Sequence, residues 1–174
     1  MGIAEISGLE TSELYILFVG AVAGIAAIVI GISIAYFFMV ILAKKRAEKE
    51  YRAAISIVYQ EIKDNIYSLN AGSNIGMMKV STSGLELLRA RNIYLDLPSD
   101  VLRDLLSVYW YFNFINDVVN WELSLFMVSV MTNGDTGRIC EINDRHTKDF
   151  HRRCLKEIQN TKILPRLEVI LNDR

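Results

Sequence analysis

Thirty consecutive residues, Leu14 to Ala43, carry no charged side chain: LYILFVGAVAGIAAIVIGISIAYFFMVILA. As a helix rising about 1.5 Å per residue, the stretch reaches roughly 45 Å, longer than the roughly 30 Å hydrocarbon core of a bilayer. A helix pairs its own backbone groups, as a membrane interior requires. The run therefore predicts a transmembrane helix over residues 14–43. Tyr15 near one end and Tyr36, Phe37 and Phe38 toward the other suit the two membrane boundaries. The rival readings are a buried soluble helix, for which the run is too long, and a cleaved signal peptide. Against cleavage, the first 13 residues lack a basic region, and Ala21-Val22-Ala23 falls too early in the apolar run.

The flanks predict an orientation. Glu10 and Glu13 precede the stretch, whereas Lys44, Lys45, Arg46 and Lys49 follow it. Positive residues remain preferentially on the cytosolic side, which places residues 1–13 outside the cell membrane and residues 44–174 in the cytosol. All 19 Lys and Arg residues lie from Lys44 onward, against the 17 acidic residues left once Glu5, Glu10 and Glu13 are set aside. That near balance excludes a general nucleic-acid binder, which needs a concentrated basic face. Gly20, Gly24, Ala27, Gly31 and Ala35 recur every three or four residues and suit close helix–helix approach, either to another copy or to another membrane protein.

Beyond the apolar run the pattern is helical throughout. Tyr51, Ile55, Val58, Ile62, Ile66 and Leu69 form one face of a helix over 44–69. Asn70 to Gly76 reads as a turn. Ser83 and Glu86 suggest a capping box for a short helix over 83–91. Pro98, Ser99 and Asp100 start a helix that reaches about Met131. Its segment from Val118 to Met131 is apolar, but contains Asn120 and Glu122 and is short for a second crossing, so a packed helix is expected. Thr132 to Gly137 forms the next turn. In the helical region after it, Pro165 predicts a break near Asn160-Thr161 and a short terminal helix. The fold class expected is all-α: one N-terminal transmembrane helix continuing into an antiparallel cytosolic helical bundle.

Some polar residues interrupt the apolar faces. Glu61 and Asn65 share a face of the first helix, and Asn113, Asn116 and Asn120 lie near the stripe of Tyr109 and Phe112. We expect some of them to hydrogen-bond across packed helices and set their register; the alternative is a polar cleft with Glu61 as ligand contact or general base.

Cys140, His146, His151 and Cys154 form the one soft-ligand group, but Cys140 and Cys154 would lie about 21 Å apart on one helix, too far for a shared ion. The expectation is an inward-packed Cys154 and a partly exposed His151. No catalytic, cofactor-binding or metal-binding residue is assigned, and no cofactor. Phosphate-loop, dinucleotide, zinc-protease and serine-hydrolase motifs do not occur.

Tyr109-Trp110-Tyr111-Phe112 is wider than one inward stripe, so Trp110 or Tyr111 is expected at the surface for protein contact. The function expected is that of a membrane-anchored helical interaction protein, such as an adaptor, scaffold or accessory subunit. Its partners would be the lipid bilayer and a protein or a second copy, with no nucleic acid. A membrane-bound sensor and a ligand-processing enzyme are the alternatives.

Overall fold

The absence of Gly and Pro between Gly31 and Gly72 lets one helix run on well past the end of the apolar stretch. In the computed structural model, which describes residues 11–71, 79–132 and 136–173, helix α1 spans Thr11–Ala71. It is followed by α2 (Ser83–Ala90), a 3₁₀ turn (Ile93–Asp96), α3 (Ser99–Met131), α4 (Thr136–Asn160) and α5 (Ile163–Asn172). No strand occurs among the described residues. Of the turns expected at Asn70–Gly76 and Thr132–Gly137, residues 72–76 and 133–135 lie outside the described residues, as do Glu5 and Glu10, while Asn70 and Ala71 belong to α1 and Thr136 and Gly137 to α4.

The chain divides into two units, Met1–Lys49 and Glu50–Arg174. In the first, every side chain from residue 13 to residue 40 is exposed. Its apolar residues occupy all sides of the helix, and this stretch is long and apolar enough to be a candidate membrane span.

The second unit is organised in the opposite way. Tyr51, Ala54, Ile55, Val58, Ile62 and Leu69 turn one face of α1 into a core shared with Leu85 and Leu88 of α2. From α3 come Leu105, Val108, Tyr109, Phe112 and Ile115, and from the last two helices Leu155, Ile158, Ile163 and Leu167. Each fully buried aliphatic side chain contributes about 1.5–3 kcal/mol relative to exposure, so this shared face holds the unit together. Phe114 of α3 meets Phe150 of α4 edge-on, with ring centroids 4.9 Å apart. Near the start of α3, Arg166 of α5 donates to Asp104 at 2.6 Å and Asp100 at 3.2 Å.

Helix α3 is also long and apolar enough to count as a candidate span. Yet Leu105, Val108, Tyr109, Phe112, Ile115 and Val119 are all fully buried, which makes its first two-thirds a core helix. Its last turns differ: Glu122 and Ser129 are buried, while Trp121, Met127, Val128 and Met131 are exposed.

Helix α4 ends at Asn160, as the position of Pro165 leads one to expect. Thr161 and Lys162 make the turn, and Lys162 takes a left-handed φ of 54° that redirects the chain into α5. Pro165 then falls in the first turn of α5, where its missing N–H lacks an intrahelical role in any case.

Candidate functional site

Two features of the second unit stand out: a polar junction around Glu61 and a groove along α3. The junction begins with the four-residue spacing of Glu61 and Asn65 on α1, which aims both side chains at the segment leading into α2. The Glu61 carboxylate accepts hydrogen bonds from the hydroxyls of Ser81 (2.7 Å), Ser83 (2.6 Å) and Tyr109 (2.7 Å). It also accepts from the backbone N–H of Gly84 at 3.0 Å. One carboxylate thus ties α1 to α3 and caps the N-terminus of α2. Negative charge is favoured there, because the first N–H groups of a helix have no partner within it.

This arrangement corrects the expected capping box. The residue before α2 is Thr82, which makes no side-chain cap bond, and the Ser83 hydroxyl donates outward to Glu61. Ser83 is itself the first residue of α2 rather than the residue that caps it, and its hydroxyl proton goes to a charged acceptor in a bond roughly twice as strong as a neutral one.

Two asparagines clamp the same segment. Asn65 donates to the Ser81 carbonyl at 2.7 Å and accepts from the Ser81 N–H at 3.0 Å. Asn116 of α3 does the same for Val80, at 2.9 Å and 2.8 Å. A side-chain amide presents one donor and one acceptor, the complement of a backbone residue, so neighbouring residues of an irregular segment become paired from opposite sides. Of the three α3 asparagines, Asn116 carries this role, whereas Asn113 and Asn120 are exposed.

Sequence reasoning missed Gly84. A Cβ at this position would collide with the Tyr109 hydroxyl and approach both Glu61 Oε1 and Val58 Cγ2 to 3.0 Å. The signal was a glycine inside a predicted helix, directly after Ser83, which marks a close approach of elements.

Electrostatics follow the geometry. Burial by itself raises the Glu61 carboxyl, but the bonds from Ser83, Ser81, Tyr109 and Gly84 outweigh it and hold the group below its ordinary 4.5. Burial, together with the Glu61 carboxylate, pushes the Tyr109 phenol far above its usual range. Tyr109 is therefore a permanent donor and Glu61 a permanent acceptor near neutrality. Ser81, Ser83, Gly84 and Tyr109 engage both oxygens of Glu61, so its geometry is that of a structural keystone.

Among the described residues, the thiol and imidazole groups form no cluster able to hold a metal ion. Cys154 is buried, with burial pushing its thiol up to about 11, which keeps it protonated and unreactive at neutral pH. His146 is exposed, and the Cys140 side chain lies outside the described residues. His151 was expected to be partly exposed and is instead 2% exposed, with neither ring nitrogen hydrogen-bonded among the described residues. The reason is its place on α4: Thr147, His151, Cys154 and Ile158 share one helical face, and all four are buried.

The groove runs along α3 at the edge of the core, where Leu102, Tyr94 and Tyr111 pack against buried residues. Two adjoining depressions, of about 550 and 420 Å³, share Leu102 and Leu106. Trp110 and Tyr111 extend one of them, and Leu85 and Tyr94 wall the other. Trp110 is 58% exposed and stacks on Phe114 at 5.3 Å, so the expected surface aromatic is Trp110, with Tyr111 half-buried. No protein family, curated protein or solved structure matches the chain.

Proposed function

We propose that the chain is a membrane-anchored helical interaction protein: an adaptor, scaffold or accessory subunit of a membrane complex. Residues 14–43 cross the cell membrane, residues 1–13 lie outside, and residues 44–174 form a cytosolic antiparallel helical bundle. The single observation that carries this reading is the pairing of two unlike apolar surfaces. One surrounds α1 on every side through residue 40; the other is a concave strip on α3 centred on Leu106 and Trp110. A helix apolar all round suits lipid, while a local groove suits the side chains of a protein.

The bundle is supported by the meeting of Phe114 with Phe150 and of Asp104 with Arg166, since later residues of the chain pair with earlier residues of α3. Lys44, Lys45 and Arg46 then lie where acidic headgroups attract them. Holding the groove at the membrane raises the local concentration of whatever it binds and restricts its orientation.

Two measurements test the reading. Alkaline extraction of membranes should leave the chain in the pellet, and protease added to intact cells should spare a C-terminal tag. Affinity purification of the full chain in mild detergent should recover a protein at fixed stoichiometry. A freely soluble monomer recovered without detergent, or a tag digested from outside, overturns the anchor and its orientation. A lone chain with no retained protein overturns the interaction role.

A further inference from the structure

We infer that the α3 groove receives an amphipathic helix from a partner protein, with carboxylates flanking that helix's apolar stripe. The inference rests on the interaction reading above and specifies the chemistry of the partner.

Shape is the first argument. Leu102, Leu106 and Trp110 stand four residues apart on α3, so they form a row about 12 Å long. Leu85 and Tyr94 supply the facing wall of the adjoining depression. The Trp110 end of the row is formed by α3 side chains alone, and the three residues together match the spacing of anchors at positions i, i+4 and i+7 of a bound helix. A helix of about 10 Å diameter can lie along this row, flanked by Leu85 and Tyr94 over the Leu102–Leu106 turn.

Charge is the second argument. The charged residues that line the two depressions are Arg89 and Arg103. Among the described residues Arg89 has no ion-pair partner. Arg103 reaches its neighbour Asp104 at 3.4 Å with a side chain 74% exposed. Asp104 is itself engaged by Arg166 at 2.6 Å, so Arg103 is loosely held and free to turn toward a ligand. Two guanidinium groups beside an apolar trough complement carboxylates, which they can grip through two parallel hydrogen bonds. A symmetric pairing of two copies through this face would set arginine against arginine, which disfavours a second copy as occupant.

A photocrosslinking residue placed at Leu106 of the full-length chain in its native membrane tests the inference. The same residue at Tyr67, which is 74% exposed on α1, serves as control. Adducts should form at Leu106 above the control level. They should map by mass spectrometry to a segment of another protein with apolar residues at helical spacing and flanking Asp or Glu. The double variant Arg89→Glu, Arg103→Glu should lower adduct yield about tenfold or more. Replacing the mapped carboxylates by Lys should restore it. Both arginines are exposed, and an unchanged unfolding midpoint verifies that the variant is folded.

Adducts on lipid, on a second copy, or on a segment without carboxylates overturn the inference. So does a yield that ignores the arginine reversal, or one no higher than at Tyr67. Stoichiometric co-purification without groove adducts ends the groove assignment while leaving the interaction role intact. Absence of any co-purifying protein ends both.

Discussion

Helix α1 holds two apolar regions that obey different rules. Between residues 13 and 40 it exposes every side chain, including Ile25, Ile28 and Ile30, each about six-tenths exposed. Between Tyr51 and Leu69 the same helix hides Ile55, Val58 and Ile62 completely. The residue types overlap; their distribution around the axis does not. Apolar residues on all sides leave no face for water, whereas a single stripe leaves the opposite face for charges such as Lys63 and Asp64. The lesson is that burial inside this chain accounts for the second region alone. The first is a candidate membrane span by its length and composition.

The largest expected effect breaks or sharpens this contrast with one substitution in each region. Ile62→Ala removes a fully buried side chain and should cost the second unit about 2–5 kcal/mol, read from denaturant unfolding in mild detergent. Ile30→Ala should leave that same unfolding within about 0.5 kcal/mol of the parent, as substitutions away from a packed core do. A comparable loss from both would mean that the first region packs on protein, and the contrast would fall.

Much of this was legible because helical periodicity is a local signal. The faces of α1 and α3 are written as residues three and four apart, and Pro165 announces the break after Asn160. The partner of Glu61 and Asn65 was not legible. It is a short segment, Val80 to Gly84, whose pairing comes from side chains far away in sequence. Choosing Asn116 over Asn113 depended on the rotation of α3 about its axis. The burial of His151, by contrast, was readable: its spacing from Cys154 and Ile158 already put it on the inner face. A polar label prevailed over a positional one.

A smaller effect is expected at the junction that closes the second region. Glu61→Gln keeps the shape but replaces one acceptor oxygen by a donor, facing hydroxyls and an N–H that already donate. Glu61 is half-buried, so water offsets part of the mismatch and the loss should be about 1 kcal/mol. Gly84→Ala should act in the same direction through its collision with Tyr109. The pH dependence supplies a second readout. Because the folded state holds the Glu61 carboxyl below 4.5, its contribution is present above that value and lost as pH falls through the folded one. Glu61→Gln should remove this acid-limb contribution and leave the rest of the profile. An unaltered acid limb would show that the junction does not couple charge to folding.

The smallest effect separates a second titration from the first. His151 is buried with ring nitrogens unpaired among the described residues, and burial lowers its proton affinity from the ordinary 6.5. The unfolded chain therefore binds a proton at a higher pH than the folded chain does. Stability from this group is complete well above 6.5 and declines as pH falls through 6.5 toward the folded value, so its loss begins at higher pH than that of Glu61, whose ordinary value is 4.5. His151→Leu exchanges two unmatched nitrogens for an aliphatic side chain of similar bulk on the same inner face. The variant should be unchanged or up to about 1 kcal/mol more stable at neutral pH, since replacing an unpaired polar group by an apolar one is close to neutral or favourable. Its stability should also stay flat between pH 7 and pH 5.5, where the parent declines. A destabilised variant that still declines there would mean the imidazole has a partner in solution, and the inner face of α4 would then be wetter than the fully buried stripe of α3.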